Sequence, residues 1–239
     1  MEIDFLRQLN IFNPHDFENR SVSVVGCGAT GSYVTLLLAQ IGIQNLSVWD
    51  HDIVEDHNLP NQAFEIQHIG KPKVESIKDI IKRKCGFDIN VHTEKVVDQN
   101  IAATYIFLLT DSMESRKEIF EKCIKRKSLN TELVIETRMD ADNGRVYAFD
   151  PNTSAHVKEW EATLYKDDEA SESLCGATTS LAPTVCFLAS LAVWKLVSHF
   201  DVNHGPNNTK KGGKEEEMDN EVVFQLGPEH FLNRRFKTL

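Results

Sequence analysis

No Cys-x-x-Cys pair occurs in this chain; its five cysteines, Cys27, Cys85, Cys123, Cys175 and Cys186, are odd in number and widely separated. That spacing excludes a disulfide framework and a structural zinc site of the usual ligand pattern, so no zinc is expected. The chain also has no excess of positive charge. With 26 Lys and Arg against 36 Asp and Glu, a formal net charge of −10 disfavours a nucleic-acid partner, because such binding depends on cations that neutralise phosphates. The basic triplets Lys82-Arg83-Lys84 and Lys125-Arg126-Lys127 read as solvated helix ends. The acidic start Met1-Glu2-Ile3-Asp4 has neither a basic region nor a long apolar stretch, which points to a cytoplasmic protein. One uncharged run, Leu174 to Trp194, has the length of a membrane span, but Thr178, Thr179, Ser180, Pro183 and Thr184 make its first half polar. It reads as a core helix from Pro183 onward, and no membrane association is expected.

What is present suffices for one good core. At 239 residues with 41% apolar side chains, the chain reads as a single domain over residues 1–239, with a polar stretch at about 203–220 taken as a solvated, mobile loop. Val22 to Val25 is the first strand, and it stops at a glycine turn. Thr30 to Ile41 repeats apolar residues at helical spacing, and Gln44 to Trp49 alternates like a strand, which completes a βαβ unit. Lys73 to Lys84 is predicted helical through Val74, Ile77, Ile80 and Ile81. Further on, Ile89 to Val97 and Tyr105 to Leu109 are predicted strands, Glu114 to Lys127 a helix, and Gly144 to Phe149 a strand. His156 and Trp160 share one face of a packed helix, Pro183 to Phe200 forms the long one, and Glu221 to Leu226 returns as a last strand. The fold class is therefore α/β: Rossmann-like, a mainly parallel sheet flanked by helices, with additional C-terminal strands.

The chemistry concentrates in the first half. Gly26-Cys27-Gly28-Ala29-Thr30-Gly31 follows a strand and opens a helix, so its backbone can approach a phosphate while the helix N-terminus lies beneath the charge. Asp50 ends the next strand, about twenty residues on, where a carboxylate can accept hydrogen bonds from ribose hydroxyls. Glycines and Asp50 alone fit any Rossmann-type dinucleotide or ATP site, an NAD-dependent oxidoreductase included. Asn58, Gln62, Lys71 and Lys73 then cluster in a segment that reads as too polar for core, and Asp111 directly follows the buried strand ending in Leu109-Thr110. Ligands gather at the carboxyl ends of parallel strands, which places Asp50, Asp52 and Asp111 on one rim. A lysine facing phosphates and an aspartate able to hold magnesium are parts of phosphoryl or nucleotidyl transfer that hydride transfer leaves unused. ATP is therefore favoured over NAD.

Taken together, Gly-x-Gly-x-x-Gly, Asp-x-Asp-x-Val, Asn-Leu-x-x-Gln, Gly-x-x-Lys and Thr-Asp, in that order, resemble the ThiF/MoeB/HesA superfamily, the adenylating domain of ubiquitin-activating enzymes. The resemblance runs from about Arg7 to Phe200. It implies that Gly26, Gly28 and Gly31 shape the nucleotide turn and that Asp50 holds the ribose. Asn58, Gln62 and Lys73 would contact ATP or its phosphates, and Asp111 would hold magnesium. The pair Arg7-Gln8 looks like the family's N-terminal Arg-Gln, whose arginine reaches the partner subunit's site, and this implies a homodimer. Cys175, eight residues before Pro183, looks like the cysteine that accepts acyl or sulfur transfer; a thiolate near a helix N-terminus has a lowered pKa. One position departs from the pattern: Asn61 stands where the family usually has an arginine immediately before Gln62.

The activity implied is ATP-dependent adenylation of the C-terminal carboxylate of a ubiquitin-like protein ending in glycine. A thioester at Cys175 and hand-over to a ubiquitin-conjugating-enzyme-like protein would follow. A minimal bacterial conjugation system, of the kind used in antiviral defence, fits such a stripped architecture by analogy. Three alternatives stay open on the residues: adenylation of a peptide or tRNA-borne carboxylate without a thioester, a catalytically inactive scaffold subunit, for which Asn61 speaks, and the oxidoreductase.

Overall fold

The computed structural model describes residues 3–125, 130–166, 180–204, 219–227 and 229–236. Among the described residues, eight strands form one sheet: β1 (Val22–Val25), β2 (Leu46–Trp49), β3 (Asn90–His92), β4 (Tyr105–Leu108), β5 (Leu133–Met139), β6 (Asn143–Phe149), β7 (Glu221–Leu226) and β8 (Glu229–Arg234). Their spatial order is β3-β2-β1-β4-β5-β6-β7-β8. The first five pair in parallel and the last three add on as antiparallel neighbours.

Strands buried on both faces read as continuous apolar runs, and β1 and β4 do. Along β4, Tyr105 and Phe107 enter one core while Ile106 and Leu108 enter the other, as the two-residue strand period requires. The first core lies under α1 (Ala29–Gln40), α2 (Lys73–Cys85) and α5 (Ala182–His204). The second lies under α3 (Met113–Ile119) and α4 (Ser154–Glu161) and is centred on Phe120, Phe149 and Trp160, whose ring centroids lie 4.7–5.7 Å apart. Each large apolar side chain so enclosed contributes about 1.5–3 kcal/mol.

Helix α5 is long and apolar enough to cross a membrane by length and composition, yet Val185, Leu188, Ala189, Ala192 and Leu196 form a stripe of zero exposure against the sheet and α1. The reading as core helix holds for that face. Helix α2 ends at Gly86 in the left-handed conformation, and its last turn carries Lys82, Arg83 and Lys84, favourably placed at the negative end of the helix dipole. Of these, Lys82 pairs with Asp88 and Arg83 with Asp79 and Glu65, so this basic triplet is a solvated helix end.

Several boundaries differ from the sequence reading. The strand expected over Ile89 to Val97 is only Asn90–His92, an edge strand with no further neighbour, after which the chain leaves the sheet. The helix expected over Glu114 to Lys127 is regular to Ile119 and then widens into a π turn, Phe120–Ile124, which turns Phe120, Cys123 and Ile124 into the second core. Strand β8 was not anticipated, because all of its residues are exposed and it has no buried face to betray it. The polar stretch at about 203–220 falls largely outside the described residues.

Candidate nucleotide site

Strand order alone selects a location. The chain leaves β1 toward β2 on one side and returns to β4 on the other, so the crevice outside the carboxyl ends of β1 and β4 is the topological switch point of the sheet, where α/β folds bind ligands. A cleft of about 560 Å³ lies there, lined among others by Gly26, Gly28, Asp50, Asp52, Gln62, Lys73 and Asp111.

The turn that shapes the cleft is built from backbone. Gly26 has φ +97°, and a Cβ there would stand 2.5 Å from the Leu109 carbonyl oxygen. At Gly31 a Cβ would lie 1.9 Å from the Gly26 carbonyl oxygen, so the first turn of α1 can close over the loop only without a side chain. Gly28 differs: a Cβ there would meet nothing within 4 Å. As N-cap of α1 it offers no side-chain cap, so the helix N-terminus faces open cleft with its amide groups, the geometry that receives a phosphate.

Asp50 braces this turn from β2. One carboxylate oxygen accepts the Cys27 N–H at 2.6 Å and the other the Asp52 N–H at 2.9 Å. Burial raises the pKa of the fully enclosed Cys27 thiol, the Asp50 charge raises it further, and Lys73 opposes only in part. Cys27 is therefore a packed neutral thiol and no nucleophile.

Lys73, first residue of α2, donates from Nζ to Asp52 at 2.9 Å, and its backbone N–H bonds the Asp52 carbonyl. Partial burial alone would raise the Asp52 pKa, but the Lys73 hydrogen bond and charge, with His51, outweigh it and hold the carboxyl below its ordinary value. The ammonium is thus tethered at the cleft wall while Asp52 stays half exposed.

The segment that the sequence marks as too polar for core is largely exposed, but three of its polar side chains, Asn58, Gln62 and Lys73, turn inward. All three are buried, at 7–9% exposure, and only Lys71 of that cluster lies outside, away from the cleft. Gln62 lines the cleft with a buried Oε1 that has no hydrogen-bond partner among the described residues, an orphaned polar atom at the place where a ligand would sit. Asn58 does not line the cleft: its side-chain oxygen accepts the Glu55 N–H at 2.9 Å and closes a short 3₁₀ turn. Asn61, at the position of the family arginine, donates to the Ser180 hydroxyl ahead of α5, and its own Oδ1 is buried without a partner among the described residues.

Asp111 stands exposed in the lining of the same cleft as Asp50 and Asp52, one residue before the N-cap of α3. As an accessible hard oxygen ligand beside a phosphate-shaped turn, it fits a magnesium ion, which binds through one or two carboxylates plus substrate phosphates. The adjacent carboxylates of Asp50 and Asp52 are engaged by backbone N–H groups and by Lys73.

Arg7, like Asn58, is not brought to the cleft. Arg7 is exposed in the N-terminal segment, where Gln8 donates to the Ile41 carbonyl beyond the far end of α1. A 12-residue helix spans about 18 Å, so within one chain Arg7 and the glycine turn sit at opposite ends of α1. Cys175 lies outside the described residues.

Sequence reasoning missed the charged group behind Asp111. Glu136 of β5 is fully buried and pairs with Arg116 of α3 at 2.9 Å and Arg138 of β5 at 2.9 Å. Trp160 Nε1 donates to the same carboxylate at 3.2 Å, and Arg138 spans on to the Thr163 carbonyl and hydroxyl while stacking over Tyr147. Removing one partner from such a buried set costs about 3–5 kcal/mol. The available signal was two charges in an otherwise apolar strand, Val134-Ile135-Glu136-Thr137-Arg138.

The fold and cleft define a Rossmann-like α/β protein with a candidate nucleotide site, whose glycine turn, Lys73 and Asp111 line one cleft at the switch point. The ThiF family model matches residues 7–222, and the chain belongs to that family. Among curated relatives, it is 44% identical over 111 residues to adenylyltransferase and sulfurtransferase MOCS3 of Arabidopsis thaliana, covering 44% of this chain and 24% of that protein. It is 32% identical over 110 residues to the molybdopterin-synthase adenylyltransferase of Escherichia coli, covering 46% and 39% respectively. It is 29% identical over 103 residues to ubiquitin-like modifier-activating enzyme 5 of Caenorhabditis elegans, covering 42% and 25%. The aligned stretches thus span well under half of these relatives. Among solved structures, E. coli MccB with AMPCPP and MccA superposes with TM-score 0.68 at 16% identity, over 95% of this chain and 66% of that one. PaaA gives 0.68 at 19%, over 94% and 66%. At these identities the likeness shows the fold, and it agrees with the Rossmann-like sheet and added C-terminal strands read from the sequence.

Proposed function

We propose that this chain uses ATP to adenylate a C-terminal carboxylate. The observation that carries the reading is the convergence, in one cleft at the switch point, of an unhindered helix N-terminus at Gly28, the Lys73 ammonium, the Gln62 Oε1 that has no partner among the described residues, and the Asp111 carboxylate. Hydride transfer needs none of the last three. A carboxylate oxygen attacks the α-phosphorus, the bond from that phosphorus to the oxygen bridging to the β-phosphate breaks, and pyrophosphate leaves. The protein's share is positioning and charge neutralisation: the helix N-terminus and Lys73 hold phosphate, Asp50 faces the ribose, and the cleft walls exclude alternatives. Magnesium bound at Asp111 would supply neutralisation of the triphosphate charge.

The substrate we infer is a ubiquitin-like protein ending in glycine, in keeping with relatives named as ubiquitin-like modifier-activating enzymes. The Cys175 thiolate then attacks the acyl carbon, AMP leaves, and the thioester passes to a conjugating-enzyme-like partner. Because Arg7 lies at the far end of α1 from its own cleft, its service in catalysis requires a second copy, so the active species is a homodimer in the cytoplasm.

Exchange of labelled pyrophosphate into ATP, measured with candidate ubiquitin-like proteins, tests this. Exchange is expected to require the donor carboxylate, to fall at least about 100-fold in Asp111→Ala, and to survive in Cys175→Ala. A product that still forms in Cys175→Ala would replace the thioester route by direct use of the adenylate, as for a peptide substrate. ATP binding without exchange for any donor would identify a scaffold subunit.

A further inference from the structure

We infer that Arg116, aimed by the buried Glu136, is a positioning residue for Asp111; this rests on the reading of the cleft as an ATP and magnesium site. Asp111 sits in the short connection between β4 and α3 with its carboxylate toward solvent, and both of its neighbours are fastened from inside. Arg116 Nε donates to the Thr110 carbonyl at 2.8 Å, and the Ser115 hydroxyl lies 2.8 Å from that of Thr110. On the other side, Ser112 accepts the Ser115 N–H at 3.1 Å through its hydroxyl, and its carbonyl accepts the Ser115 hydroxyl at 3.0 Å. The aim of Arg116 is in turn set from β5, where Glu136 Oε1 takes its Nη1 and Oε2 is held by Arg138 and Trp160.

A buried ion pair is a poor way to gain stability, because desolvation offsets its attraction and an apolar pair of equal volume packs as well. An apolar pair cannot hold a backbone carbonyl at a fixed point beside the cleft. A guanidinium can, because its planar fork bonds Thr110 through Nε and Glu136 through Nη1 at once. A lysine at 116 would keep the charge for Glu136 but offers no such fork. Arg116→Lys therefore separates positioning from mere charge balance.

The test is calorimetric titration of the full chain with ATP, with and without magnesium, in wild type, Asp111→Asn, Arg116→Lys and the double variant, with unfolding temperatures recorded alongside. Magnesium is expected to tighten ATP binding to the wild type, and Arg116→Lys to lose about 10- to 100-fold of that metal-dependent gain, the usual cost of removing a group that orients a metal ligand. Metal-free ATP affinity should be unchanged, and the double variant no weaker than Asp111→Asn, since both changes act through one carboxylate. The role is overturned if Arg116→Lys keeps the full gain, if it weakens ATP equally with and without metal, or if the two losses add. If Asp111→Asn itself retains the gain, the magnesium reading of the cleft falls and this inference with it; loss in Asp111→Asn beside an unaffected Arg116→Lys removes the positioning role alone. Should Arg116→Lys not fold, Glu136→Gln, which keeps size and one acceptor oxygen, is titrated in its place with the same outcomes.

Discussion

Gly31, in α1 after the first parallel strand, and Gly144, in β6 of the antiparallel half, both leave no room for a methyl group, but what fills the space differs. At Gly31 it is the Gly26 carbonyl oxygen, 1.9 Å from a would-be Cβ; at Gly144 it is the edge of the Phe224 ring, at 2.8 Å. The parallel half is tight where backbone meets backbone, because a loop must fold close enough to a helix N-terminus to leave its amides open to a ligand. At Gly144 in the antiparallel half the closest obstacle is a side chain, with the Arg138 carbonyl oxygen behind it at 3.2 Å. Beyond β6 the constraint weakens further: β7 is half buried and β8 fully exposed, with Phe231 and Leu232 at about 60%.

Three substitutions sharpen or break this contrast. Gly31→Ala forces the turn itself to shift and should cost about 3 kcal/mol or more in urea denaturation while abolishing ATP binding. Gly144→Ala presses mainly on the Phe224 ring, with the Arg138 carbonyl oxygen 3.2 Å away, and should cost about 1–3 kcal/mol with ATP affinity intact. Equal losses at the two glycines would end the distinction between backbone and side-chain constraint.

The smallest effect belongs to the rim pair. Asp52→Asn removes a half-exposed partner of Lys73, and such pairs contribute at most about 1 kcal/mol. Its pH dependence has a definite sign. Because the folded-state pKa of Asp52 is depressed, the stability it lends is fully present above the unfolded value of about 3.9 and is lost as pH falls through the lower folded value. Wild type and Asp52→Asn should therefore differ at neutral pH and converge in acid, by denaturation at a series of pH values. A gap that widened below pH 4 would contradict the pairing.

The parallel half was legible in the sequence for a physical reason. Strands buried on both faces must be continuously apolar, a turn against a helix N-terminus must be glycine, and Asp50, Asp52 and Asp111 follow strand ends by position alone. Where the reading failed, the cause was tertiary. Asn58, Gln62 and Lys73 look like surface in sequence, yet the loop between β2 and α2 folds inward: the Ala63 N–H bonds Ser32 of α1, and Ile53 bridges Pro72. Asn58 spends its side chain on its own turn, which no spacing rule distinguishes from a ligand contact. Strand β8 is held by pairing to β7 and carries no burial pattern of its own. The Glu136 group was visible only as two charges out of place, and its partner Arg116 is 20 residues away along the chain.

Sequence by itself determined the α/β architecture, the glycine turn and the family, because each rests on local spacing: strand period, helix period, and residues that alone tolerate a close backbone approach. Tertiary structure decided which polar residues face the cleft, that Arg7 stands at the far end of α1 from it, and that Asp111 is backed by a buried ion network. Those outcomes depend on segments far apart in the chain meeting in space, where burial makes a charge costly unless its partners arrive from other strands and helices.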